Sequence, residues 1–130
     1  MKASRTVMHA LVATFTVEIT LHTPDRSRHK AFVARPPTST TGHVVLVVGS
    51  GKECRVHADC WNGIPDFLRG RGWVRIGATH SSSGNETLQS YLDGRADWYT
   101  ASYVASVLVH AGIAEVDAGT PNKIMLMPGW

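Results

Sequence analysis

The sequence predicts an α+β fold: an antiparallel sheet from the N-terminal 80 residues packed on two helices, then a C-terminal helix plus hairpin. Three observations predict it. Apolar and polar residues alternate in the early part of the chain, the period of half-buried strands. Later, one stretch has capping-box spacing ahead of a stopping glycine, and another repeats apolar residues at three- and four-residue spacing before a glycine, the patterns of capped helices. No repeat, low-complexity tract or long linker divides the 130 residues, so 1–130 is read as a single domain, mostly β and basic over 1–80 and helix-helix-hairpin and acidic over 81–130. With 43% hydrophobic residues the chain can bury a core, which argues against disorder.

The elements follow in order. Leu11, Ala13, Phe15, Val17, Ile19 and Leu21 alternate with Val12, Thr14, Thr16, Glu18, Thr20 and His22, which predicts one long strand over 11–21. Lys2 and Arg5 before the apolar 7–17 stretch loosely resemble the start of a signal peptide. His9 interrupts that run and no clear small-residue cleavage site follows, so the segment is read as part of the fold. Residues 23–30 form a polar, basic turn, and 31–35 a short strand. Pro36-Pro37 ends it, because proline cannot donate to a ladder. After a loop over 38–42, the apolar run 44–48 reads as a strand covered on both faces. Gly49-Ser50-Gly51-Lys52 makes the hairpin turn, and 53–58 returns as the partner strand. Pro65 suits the first turn of a short helix over 64–68, and 73–78 is another strand.

In the second part, Ser83 and Glu86 have capping-box spacing for a helix over 86–93, stopped by Gly94. Residues 99–111 give the strongest helix, with Tyr103, Val104, Val107, Leu108 and Ala111 on one face and Gly112 beyond its end. Strands 114–116 and 124–127 pair as a hairpin across 117–122.

The formal charge of +3 conceals an asymmetry. Residues 1–36 carry six cations against two carboxylates, net +4; residues 50–80 carry five against three, net +2. Residues 81–130 carry two cations against five carboxylates, net −3. A polyanion would therefore meet the first 80 residues. No apolar run approaches the roughly 20 residues of a membrane-spanning helix, so no membrane partner is expected. Two cysteines exclude a disulfide-dense secreted scaffold, and the expected location is cytoplasmic.

Several motifs fail on chemistry. An apolar strand leading into Gly49-Ser50-Gly51-Lys52 invites a phosphate-loop reading, but the two glycines are too close together. Glu53 stands where a hydroxyl is needed, and its carboxylate would repel phosphate. No third glycine completes a dinucleotide fingerprint. Cys54, His57 and Cys60 are spaced C-x2-H-x2-C, and His43 or His80 would complete four zinc ligands. A strand over 53–58 throws Cys54 and His57 to opposite faces, so no metal and no cofactor are expected. Two buried thiols and a surface histidine are the reading kept; a Cys54–Cys60 disulfide would need an oxidising compartment. A Cys60 nucleophile with His57 or His80 and Asp59 or Asp66 is the enzymatic alternative, though spacing alone does not show the required hydrogen-bond geometry.

The most informative stretch is 52–75. It interleaves Lys52, Arg55, Arg69, Arg71 and Arg75 with Trp61, Phe67 and Trp73. Arginine pairs bidentately with phosphate, and tryptophan offers a stacking face to an unpaired base. The same aromatics would equally serve as core.

Residues 98–128 resemble the last helix and wing of a winged helix-turn-helix domain. The stretch YTASYVASVLVHAG is followed by IAEV, the turn DAGTPNK, and IMLMPG. With the helix over 86–93, the likeness covers about a third of the chain. It implies DNA binding through the exposed side of the last helix, at Ser102, Ser106 and His110, with Lys123 on the wing. The chain departs from that pattern because 99–111 contains no Arg or Lys. Phosphate neutralisation supplies most non-specific DNA affinity, so this helix is expected to be structural or to contact protein.

The leading expectation is a small nucleic-acid-binding module. Its basic face would be formed by Arg26, Arg28, Lys30, Arg55, Arg69, Arg71 and Arg75, with Trp61 and Trp73 as stacking groups. The alternatives are an assembly subunit of viral or phage kind, joined to a protein partner or another copy through the C-terminal helix and hairpin, and the small Cys/His/Asp enzyme.

Overall fold

A computed structural model describes residues 6–24, 30–37, 39–49, 51–77, 87–93, 95, 101–117 and 122–130. The fold is α+β.

The chain begins with a helix where the alternation predicts a strand. Helix α1 spans Val7–Thr14. The Thr6 hydroxyl accepts the His9 N–H at 3.1 Å and so caps it. Val7, Met8, Ala10 and Leu11 fall on one helical face, and all are buried. Only the end of the expected strand survives, as β1 (Ile19–His22). Phe15 lies between the two elements and turns into the core, whereas Val17 is 64% exposed.

Strands β2 (Ala31–Ala34), β3 (His43–Val48) and β4 (Lys52–His57) complete an antiparallel sheet in the order β1-β2-β3-β4. The expected hairpin holds, with Val48 opposite Lys52 and His43 opposite His57. Phe32, Ala34, Val44, Leu46, Val48, Cys54 and Val56 point inward. The other face carries Val33, Val45 and Val47, each half-buried, with Glu53, Arg55 and His57 exposed beside them. β3 is thus covered fully on one face, not on both.

Helix α2 runs over Ala58–Leu68, six residues earlier than expected. The return strand stops at His57, and Trp61, Ile64, Pro65 and Leu68 take up helical spacing toward the core. Pro65 sits in the last part of this helix rather than its first turn. Its missing N–H leaves the Trp61 carbonyl without its usual helical donor. The Met8 N–H, on α1, donates to Asn62 Oδ1 at 3.0 Å and ties the two helices together.

The remaining elements are β5 (Val74–Arg75), α3 (Leu88–Leu92), α4 (Ala101–His110), β6 (Ala114–Asp117) and β7 (Lys123–Leu126). β6 and β7 form the expected hairpin, and β5 joins its other side in the order β5-β7-β6. α3 is capped by Thr87 and Ser90, whose side chains each take the other's backbone N–H. The expected Ser83, Glu86 and Gly94 signals lie outside the described residues. Gly112, at φ 76°, ends α4 as expected.

α4 lies between the two sheets. Ala101, Val104, Ala105, Ser106, Val107 and Leu108 are all buried. The Ser106 hydroxyl donates to the His22 carbonyl at 2.6 Å, and Tyr103 meets Phe32 edge-on at 5.0 Å. Residues from both sheets and all four helices form one apolar cluster. Among the described residues no helix is long and apolar enough to cross a membrane.

Candidate nucleic-acid interface

The expected basic face is divided. Arg55 projects from the solvent side of β4, beside Val45, while α2 packs on the other side of that sheet. Arg69, Arg71, Trp73 and Arg75 follow the end of α2 instead. Lys30 is exposed just before β2; its N–H donates to the Thr23 hydroxyl, and the Thr23 N–H donates to its carbonyl. Arg26 and Arg28 lie outside the described residues. Arg35 is held between Glu18 at 3.4 Å and Glu53 at 2.9 Å.

Trp61 does not offer a stacking face. It is fully buried, and its indole N–H donates to the Val56 carbonyl at 3.0 Å. The expectation for this residue fails because its helical position faces the core. Trp73 is 45% exposed, between Gly72 and the first residue of β5.

At the end of α2, Gly70 and Gly72 adopt φ of 80° and 68°, a left-handed conformation that lets the chain turn sharply. Arg69 is used internally. It pairs with Asp66 and donates to the Trp130 backbone oxygen through Nε and Nη2. Arg71 folds back: Nε donates to the Phe67 carbonyl at 2.5 Å, and the guanidinium lies 4.5 Å above the Phe67 ring.

Arg95 repeats this arrangement on Tyr91. Its Nη1 donates to the Tyr91 carbonyl at 2.6 Å, and its guanidinium lies 4.6 Å above the ring. The two rings pack together at 5.1 Å, tilted by 34°. A continuous array results, Arg71–Phe67–Tyr91–Arg95, across the joint of α2 and α3. Both arginines are exposed, and among the described residues neither has a carboxylate partner. Their remaining N–H groups are held in place by ring and carbonyl together. Arg95 and Tyr91 were absent from the expected site. The signal was present as an aromatic four residues before an arginine, at 67/71 and again at 91/95.

Arg75 is exposed on β5, directly opposite Lys123 of β7, which in turn faces Asp117. The side of α4 assigned to DNA is occupied. Ser106 is buried against β1, Ser102 is half-buried, and the His110 ring packs 5.2 Å from Phe15. A pocket of about 300 Å³ opens beside it, lined mainly by Leu21, His22, Val109, His110 and Val116. Among the described residues its lining includes no arginine or lysine.

Among the described residues the thiols are not grouped with other nucleophilic or metal-ligating side chains. Cys54 points inward from β4 while His57 points out, as expected for a strand. Burial pushes the Cys60 thiol up to about 11, with Arg95 pulling weakly the other way. A thiol held protonated in this way is a poor nucleophile. His80 lies outside the described residues. Among the described residues no three His, Cys, Asp or Glu side chains are placed to share a metal ion.

Comparison with known protein families, curated proteins and solved structures finds no match for the chain.

Proposed function

We propose that this chain is a nucleic-acid-binding module whose contact surface is the α2–α3 joint with the start of β5. The reading rests on one observation: two arginines, each pinned by the ring and carbonyl of the aromatic four residues before it, share one continuous array. Guanidinium groups fixed in advance lose little freedom on meeting phosphate, and their planar N–H edges match its oxygens. Arg75 and the exposed Trp73 extend the surface with a further cation and a stacking ring. The element order from α2 to β7, with β5 paired to β7, supports the winged helix-turn-helix likeness in shape. Burial of α4 disfavours insertion of that helix into a major groove, so an unpaired strand is the proposed ligand. Two cysteines not joined in a disulfide fit a reducing, cytoplasmic setting.

Fluorescence anisotropy with labelled oligothymidylate and a duplex of equal length, at low salt, tests this. The single strand is expected to bind more tightly, and replacing Arg71 and Arg95 together by Ala should remove most of that affinity. Absence of binding to either probe would overturn the proposal.

A second reading, the assembly subunit, has its own observation in the outer face of the four-stranded sheet, where the half-buried Val33, Val45 and Val47 form an apolar stripe. Concentration-dependent mass by light scattering, abolished by Val45→Lys, would favour it.

A further inference from the structure

That outer face ends in two histidines. His43 opens β3, His57 closes β4, and the register sets them directly opposite. The Ala58 N–H donates to the Gly42 carbonyl just beyond the pair, and the Arg35 N–H takes the Val45 carbonyl on the β2 side. His43 and His57 therefore form a non-hydrogen-bonded pair, the position at which facing side chains approach most closely.

The imidazole centroids are 5.7 Å apart, with ring planes inclined at 54°. An imidazole nitrogen binds zinc at about 2.0–2.1 Å, which places each ring centre about 3.2 Å from the ion and two such rings about 5.2 Å apart around a tetrahedron. The observed centroid separation is about half an ångström wider than this. His57 is the N-cap residue of α2 yet makes no side-chain cap hydrogen bond. Among the described residues neither imidazole has a hydrogen-bond or ion-pair partner. His57 is exposed and His43 half-buried, so water has access.

We propose that His43 and His57 form an exchangeable site for a late first-row divalent cation, zinc or copper(II), with water completing the shell. The donor chemistry selects those ions, since neutral imidazole suits zinc and copper whereas magnesium seeks oxygen. No third protein ligand joins among the described residues, so the ion clips β3 to β4 reversibly rather than building the fold. Arg55, on the same face, limits the affinity, while Asp59 in the first turn of α2 offsets part of its charge.

Calorimetric titration of zinc chloride into the full chain tests this. One ion per chain is expected, with at least a tenfold loss of affinity in His43→Asn and in His57→Asn, and no saturable heat from magnesium chloride. Neither side chain belongs to the buried core, and circular dichroism establishes that the variants fold. Unchanged zinc affinity in both variants, or no saturable zinc binding to the parent chain, overturns the site. As an independent readout, substoichiometric copper(II) should broaden the His43 and His57 ring resonances before those of His9, His22 and His110; the reverse order would also overturn it.

Discussion

The Tyr91 hydroxyl, on α3, donates to the Cys60 carbonyl of α2 at 2.8 Å. Gly63 makes this approach possible. A Cβ built at that position collides with the Tyr91 hydroxyl oxygen. Since Tyr91 is wedged between Phe67 and Arg95, its ring has little room to retreat.

Gly63→Ala is therefore expected to destabilise the fold, although alanine is the better helix former by about 1 kcal/mol. Overpacking costs about 1–3 kcal/mol and exceeds that gain. Tyr91→Phe alone should cost about 1 kcal/mol through the lost hydrogen bond. Adding Tyr91→Phe to Gly63→Ala should restore stability, because the clashing oxygen is gone. Urea unfolding of the four proteins measures the coupling; additive losses would mean that the two residues do not meet.

Burial raises Cys60 from 9.0 to about 11 and Tyr91 from 10.0 to about 12. In each case the folded state holds its proton more tightly than the unfolded state. The resulting stability is complete below pH 9 and is lost as pH rises from about 9 toward 12. The urea midpoint should fall over that window, and Cys60→Ala should flatten the part between pH 9 and 11. A midpoint rising through it would contradict the burial of both groups.

α4 provides a contrast between two positions that its sequence makes look different. Leu108 is fully buried, and Leu108→Ala should cost about 2–5 kcal/mol. Ser106→Arg should be at least as damaging, because it places a charge between two sheets. If α4 were an outward recognition helix, Ser106→Arg would be tolerated and would strengthen DNA binding.

Each phosphate neutralised adds nearly one unit to the slope of log affinity against log salt. Arg71→Ala with Arg95→Ala should lower that slope by up to about two units. Arg69→Ala should change it less, since Arg69 is spent on Asp66 and Trp130. A larger loss from Arg69 than from the other pair would relocate the interface.

The hairpins were legible because their signals are local. Gly49 to Lys52 turns one, and the alternating pairs of 114–117 and 123–126 define the other. The start of the chain misled because Leu11 to Leu21 mixes a helix, a loop and a strand whose apolar residues share a parity by chance. The Thr6 cap was the better signal. Pro65 misled because a first-turn preference is only a preference. At the candidate site, the 67/71 and 91/95 spacing was present in the sequence. Packing between α2 and α3 was needed to turn two local pairs into one array. Nothing local distinguishes Trp61 in the core from Trp73 on the surface; only the phase of α2 does.

The placement of α4 governs how the molecule comes apart. One side of this helix seals the four-stranded sheet through Tyr103 and Ser106, and the other seals the hairpin. Neither half has a complete interior without it. Denaturation should accordingly be all-or-none, and the amides of α4 should exchange with solvent only as fast as the whole chain unfolds.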